Sequence, residues 1–220
     1  MASSPIRQQL TSRALAARIS LQPEIADRLE SYFRLLARWN KTINLTGFEL
    51  NSPSSQAIDR LIVEPLLVAP LLPTAENRDL WFDLGSGGGS PAIPLRLIRP
   101  QGRLILVESS SRKAAFLREV VRELALDDSA VETVRLEALA HRPGVAGTAD
   151  LVTVRAVRAD EVLLESVSAL LSDRGQAGLI GSPGIGHGRV VMTATEAGSL
   201  SVVLLGKAQI VVSRGTPKRH

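Results

Sequence analysis

The stretch LWFDLGSGGGSPAIPL, residues 80–95, decides the fold. It opens with a short apolar run, LWFDL (80–84), passes four glycines in the five positions 85–89, and runs into residues that open a helix. A strand, a glycine-rich turn and a helix in that order are the first crossover of a doubly wound parallel sheet, where the turn lies at the ligand crevice. Glycine allows positive φ and close approach of the backbone to a ligand. A tight turn alone needs one or two glycines, so four point to a bound ligand.

The same grammar continues downstream. LILVE (104–108) is a second strand, followed by a helix through 111–125. VETV (131–134) and DLVTV (150–154) are further strands, a helix follows over about 159–172, and AGLI (177–180) is the fifth strand. Strands alternating with helices imply βαβ units and a parallel sheet. SVVLL (201–205) and AQIVVS (208–213) flank Gly206-Lys207 at hairpin spacing, so the sheet is expected to end in an antiparallel pair. The intervening SPGIGHGRVVMTATEAG (182–198) allows a short helix.

Upstream, Ile25, Leu29, Phe33 and Leu36 recur at helical spacing over 23–38, with Pro23 suited to the first turn. Leu10, Ala14, Ala17 and Leu21 suggest a weaker, earlier helix. A polar loop, INLTGFELNSPSS, follows Trp39-Asn40-Lys41. A further helix over about 55–71 carries Ile58, Leu61, Ile62, Leu66 and Leu67, and Pro65 should kink or break it. The expected organisation is a helical N-terminal part (1–78), an α/β domain (79–215) and a basic tail (216–220).

Composition narrows the function. The chain has 220 residues, 45% of them hydrophobic, and a formal net charge of +4, which supports an anionic partner only weakly. The absence of cysteine excludes a disulfide scaffold, a thiolate metal site and a cysteine nucleophile. Three scattered histidines argue against zinc, and no metal site is expected. No apolar run approaches the ~20 residues of a membrane span. The first 20 residues are rich in Arg and Ser and lack acids, like a transit peptide, but read as a cytoplasmic helix or a ragged end.

Two acids sharpen the ligand. Glu108 ends the second strand, where a carboxylate can accept both hydroxyls of a ribose. Asp83 stands directly before the glycines, where it would repel a diphosphate but suit a cationic group. The pair favours S-adenosylmethionine, which carries an ammonium and a sulfonium but no phosphate, over a dinucleotide. Arg135-Leu136-Glu137 follows the third strand, near the expected adenine. Arg155, in Val154-Arg155-Ala156, sits at the carboxyl end of a central strand and faces the crevice.

These residues together resemble the RsmG (GidB) family of ribosomal RNA small subunit methyltransferases, collinearly over about 25–213. Arg38-Trp39-Asn40-Lys41 with Ile43-Asn44-Leu45-Thr46 is similar to the family's W-N-K…N-L-T signature. Leu61-Ile62-Val63-Glu64-Pro65-Leu66 is similar to H-I-x-D-S-L, and DLGSGGGSPAIPL to the family's glycine loop with its trailing prolines. Glu108-Ser109 with Arg112-Lys113 and Phe116-Leu117, then Arg135-Leu136-Glu137 and Val154-Arg155-Ala156, complete the match. The chain differs from the family at Leu61 (His), Glu64 (Asp), Pro65 (Ser), Ala92 (Gly) and Val154 (Ser), and reads Ile180-Gly181 where the family has Lys-Gly.

The resemblance implies an α/β, Rossmann-like class I methyltransferase fold. It implies methyl transfer from S-adenosylmethionine to N7 of a guanine in 16S ribosomal RNA, with S-adenosylhomocysteine as product. Asp83, Gly85, Ser86, Gly87, Gly89, Ser90, Glu108, Leu136, Glu137 and Arg155 would hold the cofactor. Lys41, Asn44, Arg112 and Lys113 would face the RNA. Arg155 and Glu64 would act at the reacting centre, Glu64 as a candidate holder of the guanine edge. The partner would be the small ribosomal subunit or its assembly intermediate, met by a cytoplasmic monomer with no membrane attachment. The alternatives are a class I methyltransferase acting on a protein or small molecule, or a non-catalytic RNA-binding assembly factor.

Overall fold

The computed structural model describes residues 4–52, 54–76, 78–155, 160–181, 189–195 and 198–210. Its centre is a seven-stranded sheet in the order β3-β2-β1-β4-β5-β7-β6. The strands are β1 (Leu80–Leu84), β2 (Arg103–Val107), β3 (Ser129–Glu132), β4 (Ala149–Arg155), β5 (Leu171–Ile180), β6 (Arg189–Thr195) and β7 (Gly198–Gly206). β1 to β5 pair in parallel, and β7 lies antiparallel between β5 and β6. The chain runs outward from β1 to β3, then returns to β4 on the other side of β1. That reversal opens a crevice at the carboxyl ends of β1 and β4.

Successive strand residues point to opposite faces. Trp81, Leu104, Leu106 and Leu151 join one apolar cluster, while Phe82, Leu84, Ile105, Val107, Val152 and Val154 join the other. The second cluster is covered by α7 (Leu136–Ala140) and α8 (Glu161–Leu170). The first is covered by α1 (Pro5–Ala16), α2 (Pro23–Asn40), α5 (Ala92–Ile98) and α6 (Ser111–Glu123), together with the helical run 55–71. Helices before residue 72 and one face of the sheet therefore share one core, in which Tyr32, Phe33 and Phe116 are fully buried. Each such side chain contributes about 1.5–3 kcal/mol through burial.

The run 55–71 does not break at Pro65. It passes from α3 (Ser55–Ile58) through a π-helical turn (Asp59–Val63) into α4 (Glu64–Val68) and a 3-10 turn at Ala69–Leu71. The Glu64 N–H reaches back five residues to the Asp59 carbonyl. This wider turn closes just before proline, which has no N–H with which to continue the ordinary ladder. Arg13 of α1 forms a partly buried ion pair with Asp59, where the π turn begins.

The C-terminal hairpin exists, but between β6 and β7 rather than across Gly206-Lys207. β7 ends at Gly206, whose N–H is taken by the Gln209 side chain at 2.8 Å in a 3-10 turn over Lys207–Gln209. The helix allowed within 182–198 is corrected over 189–195, which is strand β6. Residues 182–188, 211–213 and the basic tail 216–220 lie outside the described residues. Helix α7 was not expected. It is one short turn and a half, directly after β3.

Candidate active site

Four segments meet at the carboxyl end of the parallel strands: the glycine turn after β1, Glu108 after β2, Arg135 to Glu137 after β3, and Arg155 ending β4. Two cavities flank the glycine turn and share Gly85. One has a volume of about 340 Å³ and is walled by Glu108, Leu136, Glu137 and Leu163. The other, about 560 Å³, is walled on the sheet side by Ser86, Gly87, Ser90 and Arg155. Its far wall comes from the N-terminal helices and their loop, through Thr46, Phe48, Arg60 and Leu61.

The glycines divide their work. Gly85, Gly87 and Gly89 all have positive φ. A Cβ at Gly87 would meet only the Gly85 carbonyl at 3.6 Å, so this position borders open space. A Cβ at Gly89 would stand 2.8 Å from Ile93 Cγ1 and 3.4 Å from the Tyr32 ring. Gly89 lines neither cavity, and its small size serves helix packing. The turn is fixed from three sides. Tyr32 donates to the Gly88 carbonyl at 2.7 Å, Ser86 Oγ donates to the Asp83 carbonyl at 2.9 Å, and the Gly87 N–H donates to Glu108 at 3.0 Å.

Glu108 also accepts the Ser110 N–H at 2.8 Å. Two backbone bonds orient its carboxylate and leave lone pairs toward the smaller cavity. Asp83 is 1% exposed and lines neither cavity. Its Oδ1 accepts from Thr153 at 2.6 Å, and its Oδ2 is buried without a hydrogen-bond partner. Burial pushes its carboxyl up to about 7, against the lowering effect of Thr153, Ser86 and Arg155. An orphaned buried acceptor beneath the turn, an open cradle at Gly87 and an oriented carboxylate at Glu108 fit a ligand with a cationic tail and a ribose.

Arg155 and Glu64 are brought together. The Arg155 guanidinium donates to Glu64 at 2.7 Å and to Ser90 Oγ at 3.0 Å. Arg60, one turn before Glu64 and on the cavity wall, also pairs with Glu64, at 3.1 Å. Burial raises the Glu64 carboxyl and lowers the Arg155 guanidinium, and each partner's charge opposes the shift. Glu64 itself is 1% exposed and lines neither cavity. Its carboxylate is engaged in holding two arginines, one of which reaches the glycine turn.

The residues expected to face RNA separate. Lys113 lines the larger cavity, whereas Lys41, Asn44 and Arg112 are exposed and line neither. The structure adds Thr46, Phe48 and Arg60 to the wall. Thr46 is the threonine of the N-L-T stretch, matched there without a role; nothing in spacing marks Phe48 or Arg60, which stand just outside the two matched stretches. Asn40 accepts the N–H groups of Leu45 and Thr46 at 2.9 and 3.0 Å and thereby folds that loop over the cavity. Trp39 and Arg38 both donate to Glu119 of α6 and tie the end of α2 beside it.

Residues 25–181 match the family model GidB, described as rRNA small subunit methyltransferase G. A protein of Syntrophotalea carbinolica called ribosomal RNA small subunit methyltransferase G is 35% identical, over 72% of this chain and 70% of its own. A Neisseria meningitidis protein of the same name is 34% identical, over 77% of this chain and 76% of its own. One from Dichelobacter nodosus is 40% identical over 59% of each chain. Among solved structures, a SAM-dependent methyltransferase from Aquifex aeolicus shares the fold with a TM-score of 0.50 at 14% identity, covering 66% of this chain and 90% of that one. A geranyl diphosphate methyltransferase matches at 0.50 and 15% identity, over 68% of this chain and 65% of its own. With the family model spanning most of its length, the chain belongs to the rRNA small subunit methyltransferase G family.

Proposed function

We propose that this protein transfers a methyl group from S-adenosylmethionine to N7 of a guanine in 16S ribosomal RNA. The observation that carries the reading is the pair of cavities meeting at Gly85, within a chain of this family. Glu108, Leu136 and Glu137 would take the adenosine part in the smaller cavity. Gly85, Ser86, Gly87, Ser90 and Arg155 would take the amino-acid part along the larger one, with the unpartnered Asp83 Oδ2 supplying the anion beneath. Gly89 serves the same turn through its fold. S-adenosylmethionine, when bound, supplies an electrophilic methyl on a sulfonium.

Guanine N7 has an in-plane lone pair and needs no deprotonation, so the chain needs no general base. What it must provide is orientation. Arg155 is held between Ser90 and Glu64, so the cofactor turn and the helical wall opposite are locked to one another. Lys113 and Arg60 offer cations for phosphates at the mouth of the larger cavity, with Lys41, Asn44 and Arg112 further out. In this reading the protein works in the cytoplasm, as a monomer, on the small ribosomal subunit or its assembly intermediate. Residues 1–78 then form a helical extension that supplies the outer wall to the methyltransferase domain.

A second reading, methyl transfer to a protein or a small molecule, draws on the composition of that wall. Leu61 and Ile180 line the larger cavity at positions where the family pattern has His and Lys. Purified protein, labelled S-adenosylmethionine and small ribosomal subunits from a strain lacking this methylation separate the two. Label recovered as N7-methylguanosine in 16S rRNA supports the first. Cofactor binding by calorimetry without any rRNA label transfers the weight to the second.

A further inference from the structure

Phe48 is the single aromatic side chain among the described residues that line either cavity. It stands on the wall of the larger cavity and packs in part against the core below. Its backbone is fixed. Phe48 N–H donates to Thr46 Oγ1 at 3.3 Å, and the Leu45 and Thr46 N–H groups are held by Asn40. The ring is therefore presented by a loop with few free torsions.

The charges around it are one-sided. Arg60, Lys113 and Arg155 line this cavity, and no aspartate or glutamate does among the described residues. Glu64 of the helical wall is buried and committed to Arg155 and Arg60, and Glu49, next to Phe48 in the chain, is exposed, accepts the Asn51 N–H and does not line the cavity. Methylation at N7 places a positive charge on the base. The N7 lone pair forms the new N–C bond as the C–S bond breaks, the bonding pair stays on sulfur, and no proton leaves. One unit of positive charge thus passes from sulfur to the purine ring. Arg60 and Arg155 share the one charge of Glu64, so with Lys113 the wall keeps a net positive charge and would oppose charge building on the purine unless something electron-rich meets the ring. The face of an aromatic ring has that character and also stacks on a planar base.

We propose that Phe48 is a further catalytic residue: its ring stacks on the target guanine and stabilises the positive charge that develops on it during transfer. The inference rests on the proposed rRNA methyltransferase activity and adds to it the residue that receives the base. Because the attraction grows as the base becomes cationic, it acts on the transition state more than on the bound substrate.

The test uses the full chain, labelled S-adenosylmethionine and small ribosomal subunits from a strain lacking the methylation. Phe48→Leu keeps apolar bulk against the core and removes the ring. A parallel series places phenylalanines of increasing fluorine content at position 48, which keeps the shape and drains charge from the face. The single-turnover methylation rate is expected to fall roughly tenfold in Phe48→Leu and to decline stepwise along the fluorine series, while the calorimetric affinity for S-adenosylmethionine stays constant. A rate indifferent to fluorine content, or a Phe48→Leu protein as fast as the parent, overturns the proposal while leaving the rRNA activity standing. A parent protein that binds S-adenosylmethionine but labels no rRNA overturns both, and is recognised in the parent arm alone.

Discussion

Thr153 donates its hydroxyl proton to Asp83 at 2.6 Å and receives the Trp81 indole N–H at 2.8 Å. The two residues are register partners across β4 and β1, and Trp81 lies on the same face of β1 as Asp83. One carboxylate oxygen is thereby fixed from the sheet, and the other is left buried and unpaired. The arrangement aims a carboxylate without using its full acceptor capacity.

Thr153→Val keeps the shape and removes both hydrogen bonds. It strands the Trp81 N–H and Asp83 Oδ1 in the core, so urea unfolding should show a loss of about 1–3 kcal/mol. Cofactor affinity should weaken several-fold, because Asp83 is no longer held in one rotamer. Thr153→Ser should recover most of both. Parent-like affinity in Thr153→Val would show that the hydroxyl does not position the acid.

The raised Asp83 carboxyl gives stability a definite slope with pH. Its ordinary value is 3.8 and its folded value about 7, so between those two the folded state holds a proton that the unfolded chain has released. Stability from this group is therefore complete below about pH 4 and is lost as pH rises through about 7. Arg155 opposes the shift and Tyr32 lies close enough to interact, so both stay constant in the comparison. Ligand-free protein should lose melting temperature across that window, and Asp83→Asn should flatten the slope. Cofactor affinity should run the other way in the parent, improving as Asp83 ionises, and should be weak and pH-independent in Asp83→Asn.

Two glycine variants should fail by different routes. Gly89→Ala drives a methyl to 2.8 Å from Ile93 at a φ of +88, so the defect is in folding. Its melting temperature should drop with a loss of about 1–3 kcal/mol. Gly87→Val projects into open space above the turn at a φ of +50. It should remain folded, at a cost of about 1–2 kcal/mol for the left-handed backbone, and lose cofactor binding in calorimetry. Equal binding loss with no difference in stability between the two would remove this division of roles.

Arg155→Ala leaves Glu64 buried with Arg60 as its remaining partner at 3.1 Å. The expected cost is about 3 kcal/mol, at the low end for a broken buried pair because that partner remains. Adding Glu64→Gln should restore much of the stability, since no buried charge is then left over. Methylation should stay impaired in the double variant, because the Arg155 bridge between Ser90 and the helix carrying Glu64 is gone. Recovery of activity with stability would assign Arg155 a structural role alone.

The parallel sheet was legible because its signals are local: apolar runs, one glycine turn, and helices of regular spacing between them. Asp83 and Glu108 were legible as candidates for the same reason, one the penultimate residue of β1 and one directly after β2, whereas Leu136 opens α7 four residues past β3. The hairpin was misplaced because Gly206-Lys207 has a turn's composition, while the real partner of β7 lies upstream at 189–195. Composition cannot show that Gln209 caps the Gly206 N–H and stops the strand there. Phe48 and Arg60 were missed because a residue's part in a cavity depends on which elements fold over which. Pro65 was read correctly as an obstacle to a regular helix, but a helix can go around an obstacle as well as stop at it.

The π turn before Pro65 is in effect a single extra residue stored inside a helix. Every side chain after it is rotated by about 100° from where an uninterrupted α-helix would carry it. Removing one residue between Asp59 and Val63 would leave the helix nearly as long, yet it would change whether Arg60 and Leu61 share a side with Glu64. For an enzyme whose outer wall is this helix, a one-codon deletion or insertion exchanges a whole row of side chains at once. Relatives with different targets can differ in the count of residues here as readily as in their identity.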